Sequence, residues 1–276
     1  MISVIIPLYN KETIVERSIN SVLSQDFDNF EVIVVNDGST DMSAEIVKSI
    51  NDPRIVVIEQ ENGGPSKARN TGIKNAKGEW LVTLDADDEL VEHALSKMIR
   101  ETEKYKDADI IDFVGYICRG EKMARRYHPL VGKVKNPLKA LYYRQVSPSS
   151  GHAIIRTSFI KKHLYDERIR RFEDYELELR MLSEAILYSS QEITEIHNVD
   201  YAEASNARNN IMEDFMGYID ISKGSFWYKL CVYRTFLEER DNYKEACKAK
   251  YANLYKRYDL LLLHKVLQRI NRINKK

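Results

Sequence analysis

Over the first hundred or so residues the apolar positions follow two alternating rhythms. Ile2 to Pro7 is a short apolar run cut off by Pro7, and Ile14, Val15, Ile19, Val22 and Leu23 then recur at helical spacing. Glu31 to Val35, Ala44 to Ile50, Ile55 to Ile58, Lys67 to Ala76, Glu79 to Leu84 and Glu92 to Tyr105 continue the exchange of strand and helix. This order predicts an α/β fold, a mostly parallel sheet with helices on both faces. The periodic apolar side chains are assigned to its core. Farther on the pattern is sparser. Ser147 to Gly151 has the composition of a loop, His152 to Ile155 of a strand and Tyr175 to Ile186 of a helix, and the Tyr-rich stretch from Phe226 to Tyr258 predicts more helices.

The polar breaks in this pattern carry the chemistry. Asp85-Ala86-Asp87-Asp88 directly follows the strand-like Trp80 to Leu84, and Asn36-Asp37-Gly38-Ser39-Thr40-Asp41 follows Val32 to Val35 in the same way. Open α/β sheets bind ligands outside the carboxyl ends of their strands, so both acidic loops are expected to face one pocket. Carboxylates this close repel unless a cation shares the site, and alternate side chains of an extended segment place Asp85 and Asp87 on one face. Oxygen ligands of this kind suit Mg²⁺ or Mn²⁺ held together with a substrate's phosphates. A third turn, Gly63 to Asn70, puts Arg69 near a helix start, where backbone N–H groups and the guanidinium favour an anionic or carbonyl-rich ligand. Asp41 is read as the cap of the helix that follows it.

Taken in order, Val4-Ile5-Ile6-Pro7-Leu8-Tyr9-Asn10, Val35 to Asp41, Asn62-Gly63-Gly64-Pro65 with Ala68-Arg69-Asn70-Thr71-Gly72, and Leu84 to Asp88 closely resemble family 2 of the inverting glycosyltransferases, which have the GT-A fold. The resemblance is clear over residues 1 to about 115 and weaker to about 205. It implies a catalytic domain over 1–206, with a nucleotide-binding half at 1–115 and an acceptor half at 116–206, and a helical extension with a basic tail at 207–276. It also implies that Pro7 and Tyr9 line a uridine, that Asp37 accepts from the uracil ring, and that Arg69 reaches the base. Asp85 is then expected on the ribose side of the nucleotide and Asp87 on the metal, with Asp88 orienting the metal's waters or serving as an alternative ligand.

Downstream, Arg171-Phe172-Glu173-Asp174-Tyr175-Glu176-Leu177 resembles the family's Glu-Asp motif. The resemblance makes Asp174 the general base and Glu173 its supporting neighbour, and a carboxylate at a helix start stays ionised through the dipole. The implied activity is metal-dependent, inverting transfer of one sugar from a nucleotide-sugar, expected to be a UDP-sugar, to a hydroxyl of a saccharide or lipid-linked saccharide, with Mn²⁺ or Mg²⁺ as cofactor. The Gln-x-x-Arg-Trp string of processive members is absent, which favours single transfer. Two other classes compete with this reading. A sugar-nucleotide pyrophosphorylase needs a Gly-rich basic first loop where Pro7 to Asn10 stands, and a non-catalytic nucleotide-sugar-binding module needs a damaged metal motif or base. His152 is open to two readings, an acceptor contact or a surface side chain, with the surface reading preferred. His197, followed by Tyr201 and Ser205, falls where some relatives place a metal or diphosphate ligand, but Ala202-Glu203-Ala204 replaces the family's basic residues there, with Arg208 as a substitute.

Composition narrows the setting. Lys and Arg balance Asp and Glu at a formal net charge of zero, so nucleic acid is not an expected partner. Cys118, Cys231 and Cys247 are scattered, form no metal pattern and fit a reducing, cytoplasmic compartment. The chain opens on its first strand, so no signal peptide is expected, and no apolar run matches the roughly 20 residues of a span. The balance hides an asymmetry: Lys248 to Lys276 carries nine Lys or Arg against the single acid Asp259. There Leu260, Leu263, Leu267 and Ile270 recur at helical spacing beside Lys265, Arg269, Arg272, Lys275 and Lys276. Such a helix either lies on the inner face of an anionic membrane or docks on the catalytic domain.

Overall fold

The computed structural model describes residues 1–126, 129–148, 150–200 and 214–273. Among these, ten strands form one sheet: β1 (Ile2–Leu8), β2 (Phe30–Asn36), β3 (Ile55–Glu59), β4 (Trp80–Thr83), β5 (Glu89–Leu90), β6 (Ile110–Arg119), β7 (Lys122–Arg125), β8 (Gly132–Lys133), β9 (Ala153–Arg156) and β10 (Leu187–Asn198). Neighbours run β3-β2-β1-β4-β9-β6-β10-β5, with β7 on β6 and β8 on β10. The pairs β2–β3, β1–β2 and β1–β4 are parallel, β9 enters antiparallel to β4 and β6, and β6 and β10 are again parallel to each other. The expected α/β architecture is borne out. Strand order reverses at β1, with β2 on one side and β4 on the other, which is where ligands settle on such sheets.

The connecting helices are α1 (Val15–Leu23), α2 (Ser43–Ser49), α3 (Pro65–Asn75), α4 (Ala94–Lys104), α5 (Pro137–Tyr142), α6 (Thr157–Ile160) and α7 (Glu173–Met181). Alternate residues of β1 feed opposite faces. Val4, Ile6 and Leu8 pack with Val15, Ile19, Leu95 and Met98 of α1 and α4, while Ile5 packs with Ala68 and Ile73 of α3. Gly72 lets α3 lie against the sheet, since a Cβ there would stand 2.3 Å from Ile5 Cγ2. Asp41, expected as the cap of α2, lies one residue before the N-cap position, which is Met42, and accepts from the Ser43 amide at 3.0 Å.

The long strands β6 and β10 were not read from the sequence. β10 is mostly polar and carries register shifts between Ser189 and Glu195, so no clean alternation marks it. The helix expected over Tyr175 to Ile186 starts two residues earlier, behind Phe172 in a left-handed conformation (φ 59°), and stops at Met181 so that the chain can enter β10.

Four more helices follow: α8 (Phe226–Glu239), α9 (Lys244–Lys250), α10 (Ala252–Tyr255) and α11 (Tyr258–Ile273). Leu230, Val232 and Phe236 of α8 share one apolar cluster with Leu138, Leu141 and Leu177, and Leu260, Leu263 and Leu267 of α11 pack against it. These three leucines therefore face the protein, whereas Ile270 is 47% exposed. Lys275 and Lys276 lie outside the described residues, as does the expected boundary at 206 and 207. The three cysteines are free, and no helix of the described residues is long and apolar enough to cross a membrane.

Candidate active site

The loops after β1, β2 and β4 and the start of α3 surround a cavity of about 330 Å³. Pro7, Tyr9, Asp37, Arg69, Asp85 and Asp87 all line it. Tyr9 is 41% exposed, and an aromatic ring in contact with solvent can stack on a planar ligand. Two bonds lock its loop to the next one: the Asn10 amide donates to Ser39 Oγ, and Asn10 Oδ1 accepts from the Thr40 amide. Asp37 is buried and accepts from Gln60 Nε2 at 2.6 Å and from the amides of Gly63 and Gly64 at 2.9 and 2.8 Å. Its carboxylate thus fixes the glycine turn, with one of its four lone-pair sites left over.

The Asp85–Asp88 turn splits into two environments. Asp87 faces the cavity and meets Lys11 Nζ at 3.1 Å. Burial, together with the negative Asp85 and Asp88, pushes its carboxyl above the usual range against the pull of Lys11. A carboxylate so placed is stabilised by added positive charge, and its oxygens suit Mg²⁺ or Mn²⁺. Asp88 does not line that cavity. It is buried, its Oδ1 accepts from the Asn198 amide at 2.8 Å and its Oδ2 meets His197 Nδ1 at 2.9 Å. That bond helps push His197 up to about 9. Among the described residues, Asp88, Glu195 and His197 each offer a ligand atom within 4.8 Å of the others, a donor set that also fits a divalent cation.

Arg69 joins this cavity to a second one. Its guanidinium is buried, with Nη2 on Asp85 Oδ1 at 2.9 Å and Nη1 on Glu173 Oε1 at 2.9 Å and Asp174 Oδ1 at 3.5 Å. Burial would raise Asp85, but the guanidinium outweighs it and holds the carboxyl below the usual range. Glu173 is pushed up to about 7 by burial and by Asp174, and Asp174 is raised by burial and by Asp85 against the pull of Arg69. Its side chain remains 36% exposed. It opens on a larger cavity of about 670 Å³, walled on one side by Asp112, His152 and Glu178 and on the other by Arg234, Glu238 and Glu239 of α8.

His152 is not a surface side chain, which corrects the preferred reading of the sequence. It is 3% exposed on the wall of this second cavity, between Glu195 Oε2 at 2.8 Å from Nδ1 and Arg126 Nη1 at 3.1 Å from Nε2. Arginine can only donate, so Nε2 accepts and Nδ1 carries the proton to Glu195. Burial, reinforced by Arg126, pushes this imidazole down to about 4. A lone His before a strand shows none of these partners in the sequence. Tyr201, Ser205 and Arg208 lie outside the described residues.

Sequence reasoning missed Lys11, Asn62 and Arg170 on the smaller cavity and Asp112, Arg126 and Glu178 on the larger. Two of them had a readable signal: Lys11 directly follows the Pro7–Asn10 motif, and Glu178 stands four residues after Asp174, on the same face of α7.

Residues 3–168 match the family model "Glycosyl transferase family 2". An uncharacterized glycosyltransferase of Rickettsia typhi is 32% identical over 78% of this chain and 69% of its own. A putative colanic acid biosynthesis glycosyl transferase, WcaA of Escherichia coli, is 30% identical over 74% of each. Among solved structures, a fragment of S. aureus TarS in complex with UDP-GlcNAc aligns with a TM-score of 0.65 at 25% identity, covering 75% of this chain and 60% of that one. The chain belongs to glycosyl transferase family 2 and is a glycosyltransferase.

Proposed function

We propose that the protein transfers a single sugar from a UDP-sugar to a hydroxyl of a saccharide or lipid-linked saccharide, with inversion at the anomeric carbon. The observation that carries this reading is the Arg69 bridge, which ties Asp85 of the smaller cavity to Glu173 and Asp174 of the larger. The nucleotide belongs in the smaller cavity, its base against Tyr9 and Pro7 and its diphosphate toward Asp87 and Lys11. A uridine donor is motivated by the TarS complex with UDP-GlcNAc, and a role in polysaccharide synthesis in the cytoplasm by the name of the E. coli relative and the free cysteines. The acceptor enters the larger cavity.

The acceptor oxygen attacks the anomeric carbon as the bond to the β-phosphate breaks, and its proton passes to Asp174. Raised above the ordinary carboxylate range, Asp174 is a stronger base than a solvated aspartate, and Arg69 keeps it oriented and ionisable. Asp87 would hold a divalent cation, with Asp88, Glu195 and His197 as the alternative donor set, and such an ion would supply charge that offsets the leaving diphosphate. Calorimetry of UDP with Mn²⁺ and with EDTA tests the donor half, and metal-independent affinity would defeat it. Proton NMR of the product's anomeric coupling tests the mechanism, because net retention from a UDP-α-sugar requires a second nucleophile.

A further inference from the structure

Helix α11 is amphipathic in an unusual sense, because it has an apolar stripe on both sides. One stripe, Leu260, Leu263 and Leu267, packs against the protein, and between them His264 Nδ1 meets Tyr142 Oη at 2.7 Å. That face needs nothing further. On the other side Leu262, Val266 and Ile270, spaced i, i+4, i+8 and hence on one helical face, are 65, 45 and 47% exposed. Lys265 and Arg269 are exposed along the edge of this second stripe. The acid on the segment, Asp259, is neutralised by Arg257 at 2.7 Å. A docked surface helix normally turns a polar face to water, so three aliphatic side chains in line call for a cover.

We propose that this face of α11 seats in the headgroup layer of an anionic lipid bilayer. The pairing of aliphatic side chains with flanking bases selects that occupant. Nucleic acid would use the bases and leave the stripe in water. A second copy of the same face would bring Lys265 and Arg269 against their own kind, in a segment with nine bases to one acid. The stripe is short, so the apolar and the electrostatic contributions are both needed, and binding is reversible. Helix α11 also packs on α8, and α8 supplies Arg234, Glu238 and Glu239 to the larger cavity. A membrane-seated α11 therefore holds that cavity one helix away from the lipid surface, where a lipid-linked acceptor is presented. This last step rests on the proposed function; the lipid contact does not.

Cosedimentation of the full chain with vesicles tests the contact without any turnover. The chain is expected to bind vesicles of phosphatidylcholine and phosphatidylglycerol in equal parts, to bind pure phosphatidylcholine weakly, and to be released as salt screens the bases. Leu262→Asn with Val266→Asn should weaken binding roughly ten- to a hundredfold, from the apolar burial lost. Lys265→Glu with Arg269→Glu should abolish the preference for the anionic vesicles. Melting temperature and UDP affinity should stay unchanged in both variants, since all four side chains are solvent-facing. Failure of the wild type to bind the mixed vesicles, or equal binding by the variants, would overturn the proposal. So would a wild-type dimer in light scattering that the Leu262→Asn, Val266→Asn variant converts to monomer. Absence of UDP binding by the wild type would instead count against the UDP-sugar donor alone.

Discussion

The two cavities that meet at Arg69 are built on different principles. The smaller one is assembled from loops that each follow a parallel strand directly, so Tyr9, Asp37 and Asp85 reach it within a residue or two of β1, β2 and β4. The larger one draws on β6, the start of α7, β9's approach and α8, which span more than a hundred residues of chain. The first is held by hydrogen bonds to backbone amides, as around Asp37, and sets Lys11 on Asp87 and Arg69 on Asp85. The second buries more carboxyl groups than its arginines offset, and burial raises Asp112 and Glu173 to about 7 and Glu178 to about 8. A site that grips a charged diphosphate and a site that must take a proton near neutral pH have opposite electrostatic needs, and Arg69 lies on the boundary between them.

The largest expected effect separates the two. Asp174→Asn keeps the helix-start geometry and removes basicity, so transfer should fall by roughly a hundred- to ten-thousandfold. Metal-dependent UDP affinity should be nearly unchanged. Matched calorimetry and turnover check both halves; near-normal turnover would move the base to Glu173, and lost UDP binding would merge the two cavities into one functional unit.

Next comes the bridge. Arg69→Lys replaces a fork that spans Asp85 and Glu173 with a single ammonium, leaving a buried carboxylate unpaired. A loss of about 3 kcal/mol in unfolding free energy is expected, with both UDP affinity and turnover reduced. If denaturant melts show the loss but only one of the two activities falls, the halves are less coupled than the contacts at 2.9 Å imply.

On the donor side, Asp87→Asn should remove most of the benefit of Mn²⁺ to UDP binding. The drop should be at least the roughly ten- to hundredfold that loss of an outer-sphere partner alone costs. Calorimetry with and without EDTA measures it. An unchanged metal benefit would shift the cation to Asp88, Glu195 and His197.

The same contrast explains what could be read from the chain in advance. The parallel half of the sheet was legible because β1, β2 and β4 are short apolar runs buried on both faces, and each loop of the smaller cavity follows one of them or β3. The place of Asp174 in the first turn of a helix was legible through its own motif. His152 was not, because its partners Glu195 and Arg126 arrive from β10 and the segment after β7, and no local pattern encodes that meeting. The α8 wall of the larger cavity was hidden for the same reason: Arg234 and Glu238 look like ordinary charges on a Tyr-rich helix. The C-terminal leucines were visible as a stripe, yet spacing alone could not say that Leu260, Leu263 and Leu267 dock while Leu262 and Val266 do not.

The smallest predicted effect probes the electrostatics of the larger cavity. Glu178 is 5% exposed, accepts from Ser147 Oγ at 3.3 Å, and is raised to about 8 by burial and by the negative Asp174. An unfolded chain loses this proton near the ordinary glutamate value, whereas the folded chain keeps it until about pH 8. Across that window the native state binds more protons than the unfolded state, so this group lowers stability as pH rises. Glu178→Gln resembles the protonated acid and cannot ionise. The variant should match the wild type near pH 5 and gain on it by roughly 1–3 kcal/mol by pH 8.5, with UDP affinity untouched. Urea melts at a series of pH values give the comparison directly. Parallel curves for the two proteins would mean that water reaches Glu178 and that the larger cavity does not impose the proton-retaining environment that sets it apart from the donor site.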